Sequence, residues 1–240
     1  MQDKEEDKTG TVIKGNISYY NEIAGSYDTI LDEDHSNETV RKKVAQVFCD
    51  TVPKGIVLDF GGGTGRDLDW LCRQQYKIIF CEPAAAMRQK AILYNDTALH
   101  NASINFLTGD KTDFSNWDKT LPFIEKTDAV LLNFAVLNCI PGITLLFKQL
   151  FLVTKPGAHI FALILQHSFK KRYTSNFKGT VLSLLTGATV TYDIHFNGKR
   201  QQVYIHSAAS IKKKAAKYFS FNSVTTIQGS GFSLLHLIRK

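Results

Sequence analysis

Five residues of this chain have the types and spacing to hold a charged, sugar-bearing ligand. Asp59, Gly61, Gly63 and Gly65 stand at alternate positions in GIVLDFGGGTGR, and Glu82 closes the next apolar run, KIIFCE. The first stretch opens with Ile56-Val57-Leu58, which reads as a buried strand of a parallel sheet ended by Asp59. The glycines make a turn, and a helical pattern spanning Thr64–Gln75 follows (Leu68, Trp70, Leu71). Strand, glycine turn and helix start together form the place where an open α/β sheet takes a nucleotide-like ligand. The dinucleotide pattern G-x-G-x-x-G fails in both registers: its third place falls on Arg66 counted from Gly61 and on Leu68 counted from Gly63. An acid at the strand end also repels a pyrophosphate and suits a ligand with a cationic or ammonium group. Glu82 lies close to the ~20 residues further on at which a carboxylate accepts both hydroxyls of a ribose.

An acid followed by G-x-G-x-G after the first strand resembles the first motif of the class I S-adenosylmethionine-dependent methyltransferases of the small-molecule type. Their donor is a zwitterionic amino acid with a sulfonium, so an acid beside it makes electrostatic sense. Other stretches carry the same resemblance. Asn16–Asp28, NISYYNEIAGSYD, is similar to the Y-(D/N)-x-(I/A)-A-x-x-Y-D helix that closes over the donor in that family. Carried over, it implies Tyr27 beside the cofactor, with Tyr19 and Tyr20 as neighbours; an aromatic stripe packed on the core would show the same spacing. Glu82-Pro83 with Met87 resembles the family's (D/E)-x-S-x-x-M, with Ala84 in place of the serine, so one helix-cap hydrogen bond is missing. Met87 suits an adenine contact or a core position equally.

After SINFL comes Thr108-Gly109-Asp110, where the resemblance implies that Asp110 receives the adenine amino group, with Lys111 beside it. A loop aspartate capping a turn is the other reading. Asn133 and Phe134 end a fourth apolar run, TDAVLLNF, at the carboxyl edge where ligands bind in such sheets. Asn133-Phe134-Ala135-Val136 lacks the (D/N/S)-P-P-(Y/F) of the nucleic-acid adenine-N6 branch. Neutral Asn133 and Asn138 lack the acid cluster of the metal-dependent catechol branch, so no metal site is expected.

The elements that must position these residues follow from periodicity. Thr39–Asp50 is an amphipathic helix with Val40, Val44, Val47 and Phe48 on one face. Strands are expected at Lys77–Glu82, Ser103–Leu107, Thr127–Phe134 and His159–Gln166, with a helix over Ile143–Val153 stopped by Lys155-Pro156-Gly157. Thr189–Phe196, Asn197-Gly198 and Lys199–His206 spell a β-hairpin. A lysine-rich helix over Ser210–Phe219 precedes strands at Phe221–Gln228 and Phe232–Arg239. The fold class is α/β: a doubly wound, Rossmann-like seven-stranded sheet with an antiparallel last strand and an inserted β-hairpin after strand five. Residues 1–15 read as a flexible tail and 16–240 as one methyltransferase domain. Within it, 16–54 supplies helices over the cofactor and 169–206 is a substrate-side insertion.

At 240 residues and 44% hydrophobic content the chain has ample material for a core. Residues 1–10 lack the apolar segment of a secretory signal, and no run approaches the ~20 apolar residues of a membrane helix. Four scattered cysteines without C-x-x-C spacing fit free thiols, and the expected location is the cytoplasm. The net charge of +7 is uneven: from Gln166 onward twelve Lys and Arg face one acid, Asp193, leaving −4 for the rest. That asymmetry fits an anionic partner or a solvated lysine face.

The function that results is methyl transfer from S-adenosylmethionine, with S-adenosylhomocysteine as product, to an O, N or C atom of a small metabolite, anionic and carrier-bound ones included. The alternatives are the same cofactor with an RNA or protein acceptor, and a non-catalytic cofactor-binding partner protein. His167, just past the fifth strand, is the first candidate for a general base, ahead of Tyr19, His195 and His206.

Overall fold

The structure, a computed structural model, describes residues 2–98, 103–165, 189–196 and 199–240. Its frame is a seven-stranded sheet in the order β3-β2-β1-β4-β5-β9-β8. The strands are β1 (Ile56–Phe60), β2 (Lys77–Cys81), β3 (Ile104–Phe106), β4 (Thr127–Leu132), β5 (Thr154–Leu165), β8 (Phe219–Thr226) and β9 (Phe232–Arg239). The first five run parallel, and β9 is antiparallel to both β5 and β8. β6 (Val190–Phe196) and β7 (Lys199–Ile205) form the separate hairpin. The order reverses at β1, which lies between β2 and β4, so a crevice opens at the carboxyl ends of β1 and β4.

Alternate residues of the central strands bury against opposite layers. Val57, Ile78, Ala129 and Leu131 meet Val40, Val44 and Phe48 of α3 (Ser36–Thr51) and Leu68 and Leu71 of α4 (Leu68–Arg73). Leu58, Ile79, Val130 and Leu132 meet Ile143, Leu146, Phe147 and Leu150 of α6 (Ile143–Val153). α5 (Ala85–Ala98) crosses between β2 and β3, and α7 (Ala208–Ala215) leads into β8. Ser207 caps α7 by accepting from the Ser210 N–H at 3.1 Å.

Several boundaries differ from the sequence reading. α1 spans Gln2–Ile23, and a second short helix, α2 (Tyr27–Asp32), follows. β1 continues through Asp59 to Phe60, because Asp59 and Phe60 keep register with Phe80 and Cys81. α4 starts at Leu68, not Thr64, since the chain first makes tight turns with Gly65 donating to Gly62 and Leu68 to Gly65. β5 begins at Thr154: Thr127 pairs with Thr154 and Ala129 with His159, so Lys155-Pro156-Gly157 sits in a bulge of the strand. The last helix stops at Ala215 and Phe219 already belongs to β8. α5 is a further helix, which the motif around Glu82 and Met87 does not by itself announce.

Candidate active site

A cavity of about 1350 Å³ opens at the carboxyl ends of β1, β2 and β4. The glycine turn forms its floor. Gly63 has φ of 59° and donates its N–H to Glu82 Oε2 at 2.9 Å. The Ala84 N–H donates to Glu82 Oε1 at 2.7 Å. The carboxylate is therefore fixed, yet each oxygen keeps a lone pair for a ligand donor. Burial pushes the Glu82 carboxyl up to about 7, while the two N–H bonds and Arg88 pull it back.

Asp59, 1% exposed, lies behind the turn with Oδ2 lacking any hydrogen-bond partner. Burial first, and then the nearby Asp67 carboxylate, push its carboxyl well above the usual carboxylate range. Asp67 is differently placed. It pairs with Arg41 Nη1 at 2.5 Å and accepts from Trp70 Nε1 and from Asn133 Nδ2, each at 2.9 Å. The Arg41 guanidinium lies over the Phe134 ring at 4.3 Å. Phe134 and Ala135 both have left-handed backbones, φ 49° and 66°, with the Phe134 N–H held by Asn133 Oδ1 at 3.0 Å. For non-glycine residues that conformation is costly and concentrates at functional sites.

α2 closes one side. Thr64 donates to Asp28 Oδ1 at 2.6 Å, and Arg66 bonds Asp32 at 2.5 Å, tying the helix to the glycine turn. Tyr27 faces Gly63, and Tyr20 of α1 stands edge-on to Tyr27 with ring centres 6.0 Å apart. The other side is closed by β7. Gln201 Nε2 donates to the Tyr20 hydroxyl at 2.7 Å and lies 3.3 Å from Cys139 Sγ. Asn16 of α1 donates to Cys139 O and Gln202 O and accepts from the Gln202 N–H at 3.0 Å. Asn138 donates to Tyr204 O at 2.8 Å and accepts from the Leu165 N–H.

Of the residues picked from sequence, Tyr20, Tyr27, Gly61, Gly63, Glu82, Pro83, Met87, Asn133 and Phe134 line the cavity. Asp59 sits beneath it, and Gly65 serves packing: a Cβ there would lie 2.9 Å from Ala91 of α5. Gly109, Asp110 and Lys111 are exposed and outside the lining; the 3₁₀ turn Gly109–Thr112 turns them outward and brings Thr112, Asp113 and Phe114 in instead. Tyr19 is also outside the lining, packed with Ile23, Ala84 and Met87. His167 lies outside the described residues, as does the side chain of His195. His206, 1% exposed, bonds Ile140 O at 3.0 Å and Thr189 at 3.1 Å, so it holds the hairpin rather than facing the cavity. The sequence reading missed Arg41, Asp67 and Gln201. Their pairings cross between distant segments, and no local pattern signals them.

The sequence model of the family described as methyltransferase domain matches residues 33–217. The chain belongs to that family. It carries a class I S-adenosylmethionine-dependent methyltransferase domain, and its sheet order and antiparallel end are those of that fold. No curated protein sequence matches the chain. Among solved structures, this methyltransferase is similar to DhpI in complex with S-adenosylhomocysteine, at 16% identity and a TM-score of 0.65 over 95% of this chain and 97% of that one. It is similar to 1,6-didemethyltoxoflavin-N1-methyltransferase of Burkholderia thailandensis, at 13% identity and a TM-score of 0.65 over 92% and 87%. The glycopeptide N-methyltransferase MtfA matches at 11% identity and a TM-score of 0.61 over 82% and 88%. At these identities the likeness concerns the fold.

Proposed function

We propose that this methyltransferase moves a methyl group from S-adenosylmethionine to an O, N or C atom of a small metabolite. The observation that carries the reading is Glu82, clamped by two backbone N–H groups on the cavity floor with lone pairs to spare. A carboxylate so placed grips the two ribose hydroxyls of an adenosine. The orphaned Asp59 Oδ2 fits the same donor: a buried acid without a partner is stabilised when an ammonium or sulfonium arrives nearby. The solved complexes of DhpI and MtfA with S-adenosylhomocysteine are consistent with that ligand in this fold.

Bound there, S-adenosylmethionine would supply an electrophilic methyl carbon on a sulfonium leaving group. The chain's residues hold and enclose. Glu82 fixes the sugar, and Pro83, Met87, Thr112 and Phe114 offer an adenine slot. Tyr20 and Tyr27 cover the donor and exclude water, and the hairpin of the 169–206 insertion closes the acceptor side. Such positioning supplies on the order of 7–11 kcal/mol of a methyl-transfer barrier. Where the acceptor carries a proton, His167 is the proposed base, since no histidine lines the cavity among the described residues.

Calorimetric titration with S-adenosylhomocysteine, with NAD in parallel, tests the reading. Micromolar binding of the first alone supports it; binding of NAD alone overturns it. An RNA acceptor is the second reading, favoured by the basic third of the chain, and predicts steeply salt-dependent RNA binding.

A further inference from the structure

α5 begins at Ala85, and Ala84 just ahead of it carries no side-chain acceptor to cap the helix. The cap comes from another element. Asn21 of α1 accepts the Ala86 N–H on its Oδ1 at 2.9 Å. Tyr19, two residues earlier on α1, is buried against Ala84 and Met87. The same short segment holds Glu82 in place: the Ala84 N–H donates to its carboxylate, and Arg88 of α5 donates to its carbonyl oxygen. One side of α1 is thus fastened to the residues that fix Glu82.

Another side of α1 is fastened to β7. Asn16 and Tyr20 stand one turn apart on the helix and so share a stripe. Asn16 satisfies both backbone groups of Gln202, donating to its carbonyl at 3.1 Å and accepting from its N–H at 3.0 Å. The Tyr20 hydroxyl accepts from Gln201 Nε2 at 2.7 Å. Asn16 also donates to Cys139 O, and Gln201 Nε2 lies 3.3 Å from Cys139 Sγ, so the joint includes the 3₁₀ turn Val136–Cys139 that follows β4. A helix carries its backbone hydrogen bonds internally and shifts as a unit, so what steadies one side steadies the other. Neither Asn21 nor Gln201 lines the cavity.

We propose that α1 is a strut coupling the donor's place to the hairpin. A ligand held by Glu82 steadies the start of α5; α5 steadies α1 through Asn21; α1 steadies β7 through Asn16 and Tyr20. The proposal rests on the reading of this cavity as a donor site. Its consequence is an order of assembly: the bound donor sets the β7 wall before an acceptor enters. By linkage, an acceptor that rests on a docked β7 tightens the donor in return. Asn21 and Gln201 are then positioning residues, acting through α5 and through Tyr20. The rival explanation is direct touch, because Tyr204 of β7 lines the cavity. The two differ in what a change at Asn21, remote from β7, does to β7.

Hydrogen exchange on the full chain, with and without saturating S-adenosylhomocysteine, separates them. In the unaltered protein the ligand is expected to slow exchange across Lys199–Ile205 about fivefold or more. Asn21→Ala should cut that slowing to under about half, with β1 and β4 as protected as before, which shows that the variant folds. Asn21→Asp keeps an oxygen for the Ala86 N–H and should restore the slowing. Gln201→Met should diminish it from the other end. Slowing that survives Asn21→Ala in full means that the ligand acts on β7 by touch, and overturns the proposal. Bound S-adenosylhomocysteine that leaves β7 exchange unchanged overturns it too. If S-adenosylhomocysteine does not bind, the donor reading fails separately, and the ligand-free proteins decide the strut. There Asn21→Ala should speed β7 exchange about threefold or more over the unaltered protein, and equal rates overturn the proposal.

Discussion

Asp59 and Asp67 are two buried carboxylates on either side of one glycine turn, and among the described residues only Asp67 of the two is in an ion pair. Arg41 meets Asp67 at 2.5 Å, whereas Asp59 Oδ2 meets no donor and feels Asp67 as a like charge. The ionised form of Asp59 is therefore disfavoured where it stands, and in the proposed donor site a cationic ligand favours it. Asp59→Asn should raise the stability of the free protein by on the order of 1 kcal/mol. It should also weaken S-adenosylhomocysteine binding about tenfold or more. Thermal melting and calorimetry on one preparation check both; a variant that is less stable and binds normally contradicts this role.

In the proposed donor site the raised Glu82 carboxyl gives donor affinity a pH dependence. Ribose hydroxyls donate to the ionised form, so binding expels a proton below about 7. Affinity should fall about tenfold per unit as pH drops below that value and be flat above it. For the free protein the sign is opposite. A carboxyl raised from 4.5 to about 7 stabilises the fold below 4.5 and loses that contribution as pH rises through about 7. Glu82→Gln should flatten the binding profile and weaken it throughout, as titrations from pH 5.5 to 8.5 on the scale of those values would reveal.

The glycine whose added Cβ would meet the nearest neighbour is one the motif treats as variable. A Cβ on Gly62 would lie 2.2 Å from the Phe80 ring, whereas one on Gly63 finds only Tyr27 at 3.8 Å. Gly63→Ala then costs the left-handed backbone alone, about 1–2 kcal/mol. Gly62→Ala must displace a fully buried ring, about 1–3 kcal/mol with distortion of the turn added. Denaturant midpoints should rank Gly62→Ala below Gly63→Ala.

Asn16 is the joint between α1 and the hairpin. It makes three hydrogen bonds, two of them to Gln202, and is 5% exposed. Asn16→Ala leaves the Gln202 backbone groups without this partner and should weaken docking of β7 by roughly 2–3 kcal/mol. Hydrogen exchange should show lost protection in residues 199–205 with the central sheet unchanged. Loss spread evenly over β1 and β4 would mean that Asn16 supports the whole fold instead.

The parallel half of the sheet was readable because each strand is a contiguous apolar run, and the glycine turn because all its parts lie within ten residues. Glu82 was readable for a related reason: the distance from one strand end to the next is nearly fixed by a helix and a return. Arg41 was not, since within TVRKKV it is one cation among three, and only the fold turns it onto Asp67 and Phe134. Asp110 lies outside the cavity lining because the 3₁₀ turn Gly109–Thr112 leaves it exposed and brings Thr112 in, a local winding that no spacing in the sequence announces. Tyr19 and Tyr20 are adjacent on one helix and so face different ways, one into packing and one into the cavity.

The position of β9 has a consequence for synthesis. It follows β8 in the chain but lies between β5 and β8 in the sheet, with Leu234, Leu235 and Leu237 buried. Until it emerges, β5 presents an unpaired edge carrying Ile160, Ala162 and Ile164, and β8 has no sheet to join. A ribosome-bound intermediate can complete the glycine turn between β1 and α4 well before this edge is covered. A nonsense or frameshift lesion between Leu165 and Phe232 leaves that apolar flank permanently open.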